Sequence, residues 1–160
     1  NYYLEDRDNK IYKDEFKALK TNLTDSEVNY EEYAKSIAKM FIIDFYTLKN
    51  KITKYDIGGL DFLLSGNVEN FKLKASDTIY KYIKDNSDGK RVQSLPTVSQ
   101  IEVNNLSTST FKINDDSYDA YIVELNWEYS QNEGYDTSAI LTIINKDNKL
   151  YVVEERRLEN

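Results

Sequence analysis

One change of period divides this chain. From Ser26 to about Asn86 the apolar residues recur every three or four positions; from Thr97 onward they alternate, in runs separated by Asn, Asp and Gly. The single proline, Pro96, stands at the boundary. A 3.6-residue period is that of a helix with one buried face, and a period of two is that of a half-buried strand. Helices followed by strands joined through short turns imply an α+β fold, with N-terminal helices packed on a bent, C-terminal antiparallel sheet of about four strands.

The first strong helix is expected over Ser26–Asn50, after the capping residues Thr24 and Asp25. Tyr33, Ile37, Phe41, Phe45 and Leu48 mark one stripe; Met40 to Tyr46 is apolar on nearly all sides except at Asp44. A helix of that kind belongs at the centre of a fold. A second helix is expected from Val68 to Asn86, and between the two a short one over Gly59–Leu64. The Gly58-Gly59 pair has no following Lys-Ser/Thr and no preceding strand, so it does not read as a phosphate loop. A tight backbone approach or a left-handed residue explains it better. Strands are expected over Thr97–Asn105, continuing to Ile113 through a bulge at Ser107–Thr110, then at Ala120–Tyr129, Ser138–Asn145 and Leu150–Leu158. Residues 1–22 are polar and charge-dense and read as a lead-in or linker, with residues 23–160 as one domain.

Two absences limit the chemistry. There is no histidine and no cysteine. The commonest acid–base catalyst, the thiol nucleophile and zinc sites of the finger type are therefore excluded. The acidic clusters Asp6-Arg-Asp8, Asp115-Asp116 and Asp147-Asn148 lack the spacing of a calcium loop. No metal and no cofactor are expected. A net charge of −7 and a pI near 4.7, with lysines scattered among carboxylates, argue against nucleic acid and against an anionic membrane surface.

What remains is a set of candidate surfaces. Tyr121, Trp127 and Tyr129 form an aromatic stripe on one face of a strand, either packed under the helices or lining the mouth of a pocket. Asp44, Tyr46, Tyr55 and Asp56 surround the least easily explained segment of the helical half. A tyrosine paired with a carboxylate (Tyr46, Tyr55 or Tyr121 with Asp44, Asp56 or Glu124) is the one acid–base arrangement left open, and it would need burial to bring the carboxyl near neutrality.

The order long helix, short helix, helix, antiparallel sheet resembles the nuclear transport factor two-like, or cystatin-like cone, superfamily. It is similar there to extracytoplasmic domains of type IV secretion and conjugation assembly proteins of Gram-positive bacteria. The stretch Phe45-Tyr46-Thr47-Leu48-Lys49-Asn50-Lys51-Ile52, followed by Tyr55-Asp56-Ile57-Gly58-Gly59, looks like a family signature. The resemblance implies a non-catalytic assembly or scaffolding domain outside the cytoplasm, contacting partner proteins or itself, and joined to a membrane only through an N-terminal anchor missing from this chain. A small-molecule-binding cone is the alternative, and an isomerase or dehydratase using carboxylate and tyrosine a distant third. Enzymes of this superfamily that use an Asp/His pair have no counterpart here, because the histidine is missing.

Overall fold

The computed structural model describes residues 2–157, and it is an α+β fold: three N-terminal helices packed on a four-stranded antiparallel sheet. The helices are α1 (Lys10–Leu23), α2 (Tyr30–Tyr46) and α3 (Val68–Asp77), with short 3-10 turns at Leu60–Phe62 and Ser65–Asn67. The strands are β1 (Val98–Ile113), β2 (Asp116–Tyr129), β3 (Ser138–Lys146) and β4 (Lys149–Arg156). They pair in chain order, so β1 and β4 are the two edges.

α2 is the centre of the molecule. It packs on α1 on one side and on all four strands on the other. Ala34, Ile37, Ala38, Met40, Phe41 and Ile42 are completely buried. Burying each large apolar side chain is worth about 1.5–3 kcal/mol, so this helix carries much of the driving force for folding. It starts later than its sequence suggests. Asn29, not Thr24 or Asp25, is its N-cap, accepting a hydrogen bond from the Glu32 N–H at 3.0 Å. Thr24 instead closes α1, its hydroxyl donating to the Lys20 carbonyl at 3.0 Å.

The segment read as a lead-in belongs to the fold. α1 buries Tyr12 and Leu19 against the common core, and Asn9 caps it by accepting from the Tyr12 N–H at 3.0 Å. Its polar composition hid it because only one narrow stripe is buried. The second expected helix is shorter than its period suggests, ending at Asp77 rather than Asn86. The chain leaves the helix so that Tyr80 can turn fully inward, where its hydroxyl donates to the Phe45 carbonyl at 2.5 Å and accepts from the Gly58 N–H at 3.0 Å.

The strand registers hold three one-residue shifts. The segment Ser107–Thr110, expected to bulge, pairs regularly with Asp119–Ile122. The irregularities in β1 fall earlier, at Val98/Gln100 and Val103/Asn105. The second keeps apolar residues inward: Val103 faces Leu125, and three positions later Leu106 faces Val123. A third shift separates Val152, opposite Ile143, from Glu154, opposite Thr142. An extra residue inverts which side chains face the core from that point on. The hairpin turns use left-handed residues, Asn114 between β1 and β2, and Asp147 with Asn148 between β3 and β4. These are the residue types that tolerate positive φ.

Candidate functional site

The segment from Asp44 to Gly59 folds into a polar knot, closed around Lys51, at the C-terminal end of α2. Lys51 is 1% exposed. Its ammonium donates to the Asp44 carbonyl at 2.7 Å, to the Thr47 carbonyl at 2.9 Å and to Asn50 Oδ1 at 2.8 Å, and lies 3.4 Å from Asp44 Oδ1. Burial lowers its pKa, while the Asp44 charge pulls it back up. The other Asp44 oxygen accepts from the Gly59 N–H at 2.7 Å. Asp56 is held by the Arg7 guanidinium through both oxygens and by the Ile52 N–H at 2.9 Å. Burial alone would raise the Asp56 pKa, but these donors hold it below the ordinary carboxylate range. Arg91 binds the Lys49, Lys51 and Lys84 carbonyls.

Both glycines of the signature are required by this knot. A Cβ on Gly58 would stand 2.2 Å from the Asp44 carbonyl oxygen, and one on Gly59 would stand 2.8 Å from the Phe41 ring. Gly59 also has φ +83°, a left-handed conformation that glycine adopts without strain. Among the described residues no buried side-chain nitrogen or oxygen lacks a partner. The hollow beside the knot, lined by residues such as Tyr12, Asp44 and Asn50, has no room for a water molecule. Asp44 and Asp56 are thus structural ions, and Tyr55 points away from them into solvent, 66% exposed.

The open site lies elsewhere, along a groove between α3 and the edge strand β4. It consists of two adjoining hollows of about 280 and 370 Å³ that share Phe71, Lys74 and Glu155. In the first, four consecutive β4 residues, Val152–Glu155, form one wall, while Asn70, Phe71 and Lys74 of α3 form another. The second is floored by Phe45, Tyr46, Phe71 and Ile79 and carries Asp136 and Arg157 at its side. Tyr46 donates its hydroxyl to Glu155 Oε2 at 2.8 Å. The Glu155 residue keeps a face open to solvent, but its carboxyl turns in against Tyr46. Burial there, opposed by the Tyr46 hydrogen bond and reinforced by Asp136, raises its pKa. Burial and the Glu155 charge push Tyr46 far up as well, so its hydroxyl stays protonated at any physiological pH. Tyr46 can donate but cannot serve as a base. Arg157 pairs with Asp136, Nε to Oδ2, at 3.3 Å.

The aromatic stripe splits. Trp127 is 2% exposed and packs its ring 4.9 Å from that of Tyr46, which separates it from the groove. Its Nε1 donates to the Tyr129 hydroxyl at 2.9 Å, which donates onward to the Asp136 carbonyl at 2.5 Å. Trp127 and Tyr129 thus form the wall behind Tyr46. Tyr121 lies apart from them, half-buried beside Tyr30 and Glu31 of α2. Of the residues singled out by sequence, the structure brings together Tyr46, Trp127 and Tyr129, joins Asp44 with Asp56 in the knot, and leaves Tyr55 and Tyr121 separate.

The carboxylate that pairs with Tyr46 was not among those expected. Strict alternation along β4 places Glu154 inward with Leu150 and Val152, and Glu155 outward. The shift after Val152 reverses this: Glu155 faces the core residue Leu141, and Glu154 accepts from Thr142 on the opposite face at 3.1 Å. No sequence signal marks that extra residue. No group of three metal-binding side chains comes together among the described residues, and none of their helices is long and apolar enough to cross a membrane.

Compared with protein-family models, with curated proteins and with solved structures, the chain matches none.

Proposed function

We propose that this domain is a non-catalytic assembly module that holds an extended segment of a partner protein in the groove between α3 and β4. The observation that carries the reading is the wall built by Val152–Glu155 of an edge strand, facing α3 across an apolar floor. An edge strand offers unpaired backbone groups to an incoming chain, and pockets beside it receive alternate side chains; here Leu63 already bridges Val152 in parallel, so the open part of the edge is Val153–Glu155. Phe71 provides the accessible apolar surface for such a pocket, over the buried Phe41 and Leu63, and Lys74, Glu155 and Asn70 provide polar groups around it. The chemistry of Tyr46 and Glu155 fits recognition: one hydroxyl already committed and one carboxylate with spare acceptor capacity. An extracytoplasmic setting is part of the same reading and rests on the resemblance to conjugation and secretion assembly domains.

The test is site-directed photo-crosslinking in the producing cell. A crosslinker at Asn70, exposed on α3, is expected to capture a discrete protein partner, while one at Ser109, exposed on β1, captures none. Lys74→Glu should abolish the Asn70 adduct. A domain that sediments as a strict monomer and whose groove variants all retain partner capture would sink the proposal. A second reading, a small ligand in the same groove, is favoured by the Tyr46–Glu155 pair beside the larger hollow. It predicts a change in Trp127 fluorescence on adding a metabolite, transmitted through the adjacent Tyr46 ring.

A further inference from the structure

A second cleft shares no residue with the α3–β4 groove. It opens where α1 meets the N-terminal segment and the β3–β4 turn, and encloses about 390 Å³. That lies within the range of small-ligand pockets. Its floor is apolar: Phe16, Leu19 and Leu23, spaced three and four residues apart on α1, converge there with the ring of Tyr33 from α2. Tyr2 closes one side, its hydroxyl 2.6 Å from that of Tyr33, and the Tyr33 hydroxyl accepts from the Leu150 N–H at 3.3 Å. The floor's hydroxyls are therefore already engaged, and Phe16 and Leu23 present hydrocarbon beside the polar Thr24 and Asn148.

The rim carries the opposite character to the chain as a whole. In a protein of net charge −7, the two ionisable groups at this opening besides the tyrosines are Lys20 and Lys149. Neither forms an ion pair among the described residues, whereas Lys10, Lys35, Lys39, Lys51 and Lys72 all do. Lys149 is held in place by aromatic faces, its ammonium 5.2 Å from the Tyr2 ring centre and 5.4 Å from that of Tyr151. Cation–π contacts position an ammonium without neutralising it. The result is a largely apolar slot lined by two ammonium groups that form no ion pair among the described residues, Lys149 feeling the Asp61 charge at longer range.

We propose that this cleft binds a single-tailed carboxylate amphiphile of the fatty-acid type. The tail lies along Phe16 and Leu23, above the buried Leu19, and the carboxylate is taken by Lys20 and Lys149. Charge-assisted hydrogen bonds from two ammonium groups select the anionic head, and the apolar floor selects the tail.

The probe is decanoate below its micelle-forming concentration, titrated into the full chain with carbon-13 methyl resonances as readout. Saturable shifts confined to Leu19 and Leu23 are expected. Decanol, with the tail but no charge, and acetate, with the charge but no tail, should each bind at least about tenfold more weakly. The Lys20→Gln/Lys149→Gln double variant should lose about tenfold in decanoate affinity while keeping its circular dichroism spectrum. Lys20→Gln alone, on the exposed side of α1, is the second variant should the double one fail to fold. Leu23→Glu should abolish binding. Equal affinity for decanol, or decanoate binding untouched by the lysine variants, would overturn the proposal. So would absence of any methyl shift together with adsorption to phosphatidylglycerol vesicles, which would make the rim a lipid-surface contact instead.

Discussion

Lys51 and Glu155 are both ionisable side chains drawn in around the C-terminal end of α2, and the protein treats them in opposite ways. Lys51 is sealed, with every ammonium proton directed at an oxygen and no space left beside it. Glu155 is tied by one hydroxyl and opens onto hollows of about 280 and 370 Å³. A buried charge with all its bonds made fixes a geometry, since any rearrangement strands a partner. A carboxylate with acceptor capacity left over, in an apolar hollow, is available to something else. The contrast divides the most motif-like stretch of the sequence: its part from Thr47 to Gly59 is architecture, while Phe45 and Tyr46 at its start floor a groove completed by α3, β4 and the β2–β3 connection.

The comparison breaks first at Lys51. Lys51→Met leaves the Asp44 and Thr47 carbonyls and Asn50 without their donor, and should cost about 3–5 kcal/mol in urea unfolding. A loss below about 1 kcal/mol would mean that the knot is dispensable. Gly58→Ala comes next. The methyl collides with backbone rather than with a movable side chain, and a loss of about 3 kcal/mol is expected from the same measurement. Neither change should alter partner capture at Asn70 in the fraction that remains folded.

Asp56 gives the comparison a pH axis. Its folded pKa lies below its unfolded value, so its contribution is present above the ordinary carboxylate range and is lost as pH falls through the depressed value. Asp56→Asn should remove about 1–3 kcal/mol at neutral pH and flatten the acid limb of the stability curve. An unchanged acid limb would remove Arg7–Asp56 from the structural ions.

Glu155 has the opposite sign and the smallest effect. Its folded pKa is raised, so the stabilisation is present below the ordinary carboxylate value and is lost as pH climbs through the raised one. Glu155→Gln keeps an acceptor for the Tyr46 hydroxyl. It should change neutral-pH stability by no more than about 0.5 kcal/mol, while removing that decline and weakening whatever the groove holds. A large stability loss would place Glu155 with Lys51, as structure.

Much of this fold is legible in the residues. The α2 stripe, the order of helices before strands, and the Asn114 and Asp147-Asn148 turns all follow from local periodicity and turn chemistry. The β1 bulge is not among these: the sequence reading places it at Ser107–Thr110, and the register shifts fall at Val98/Gln100 and Val103/Asn105. The groove is far less legible. Tyr46 stands out in the sequence, but its partner Glu155 does not, because β4 gains its extra residue in a run of Val152-Val153-Glu154-Glu155 that reads equally well without it. Nor does the helical period of Val68–Asn86 show that the chain leaves α3 at Asp77: a continued helix would turn Ile79, Tyr82 and Ile83 inward, whereas the structure buries Tyr80 and leaves Tyr82 exposed.

The sequence by itself determined the α+β class, the order of the central helix, the later helix and the four strands, and which chemistries a chain without histidine or cysteine cannot perform; it did not reveal α1. Those are properties of short windows and of composition, and they need no knowledge of distant contacts. The tertiary structure alone decided where the ions go. It placed Asp44 and Asp56 in one knot with the sealed Lys51 and with Arg7, turned the Glu155 carboxyl to Tyr46 across 109 positions of chain, and brought Lys20 and Lys149 to the lining of one largely apolar cleft. A charge is stable where its partners happen to converge, and convergence of residues far apart in the chain is set by packing and register rather than by any local pattern.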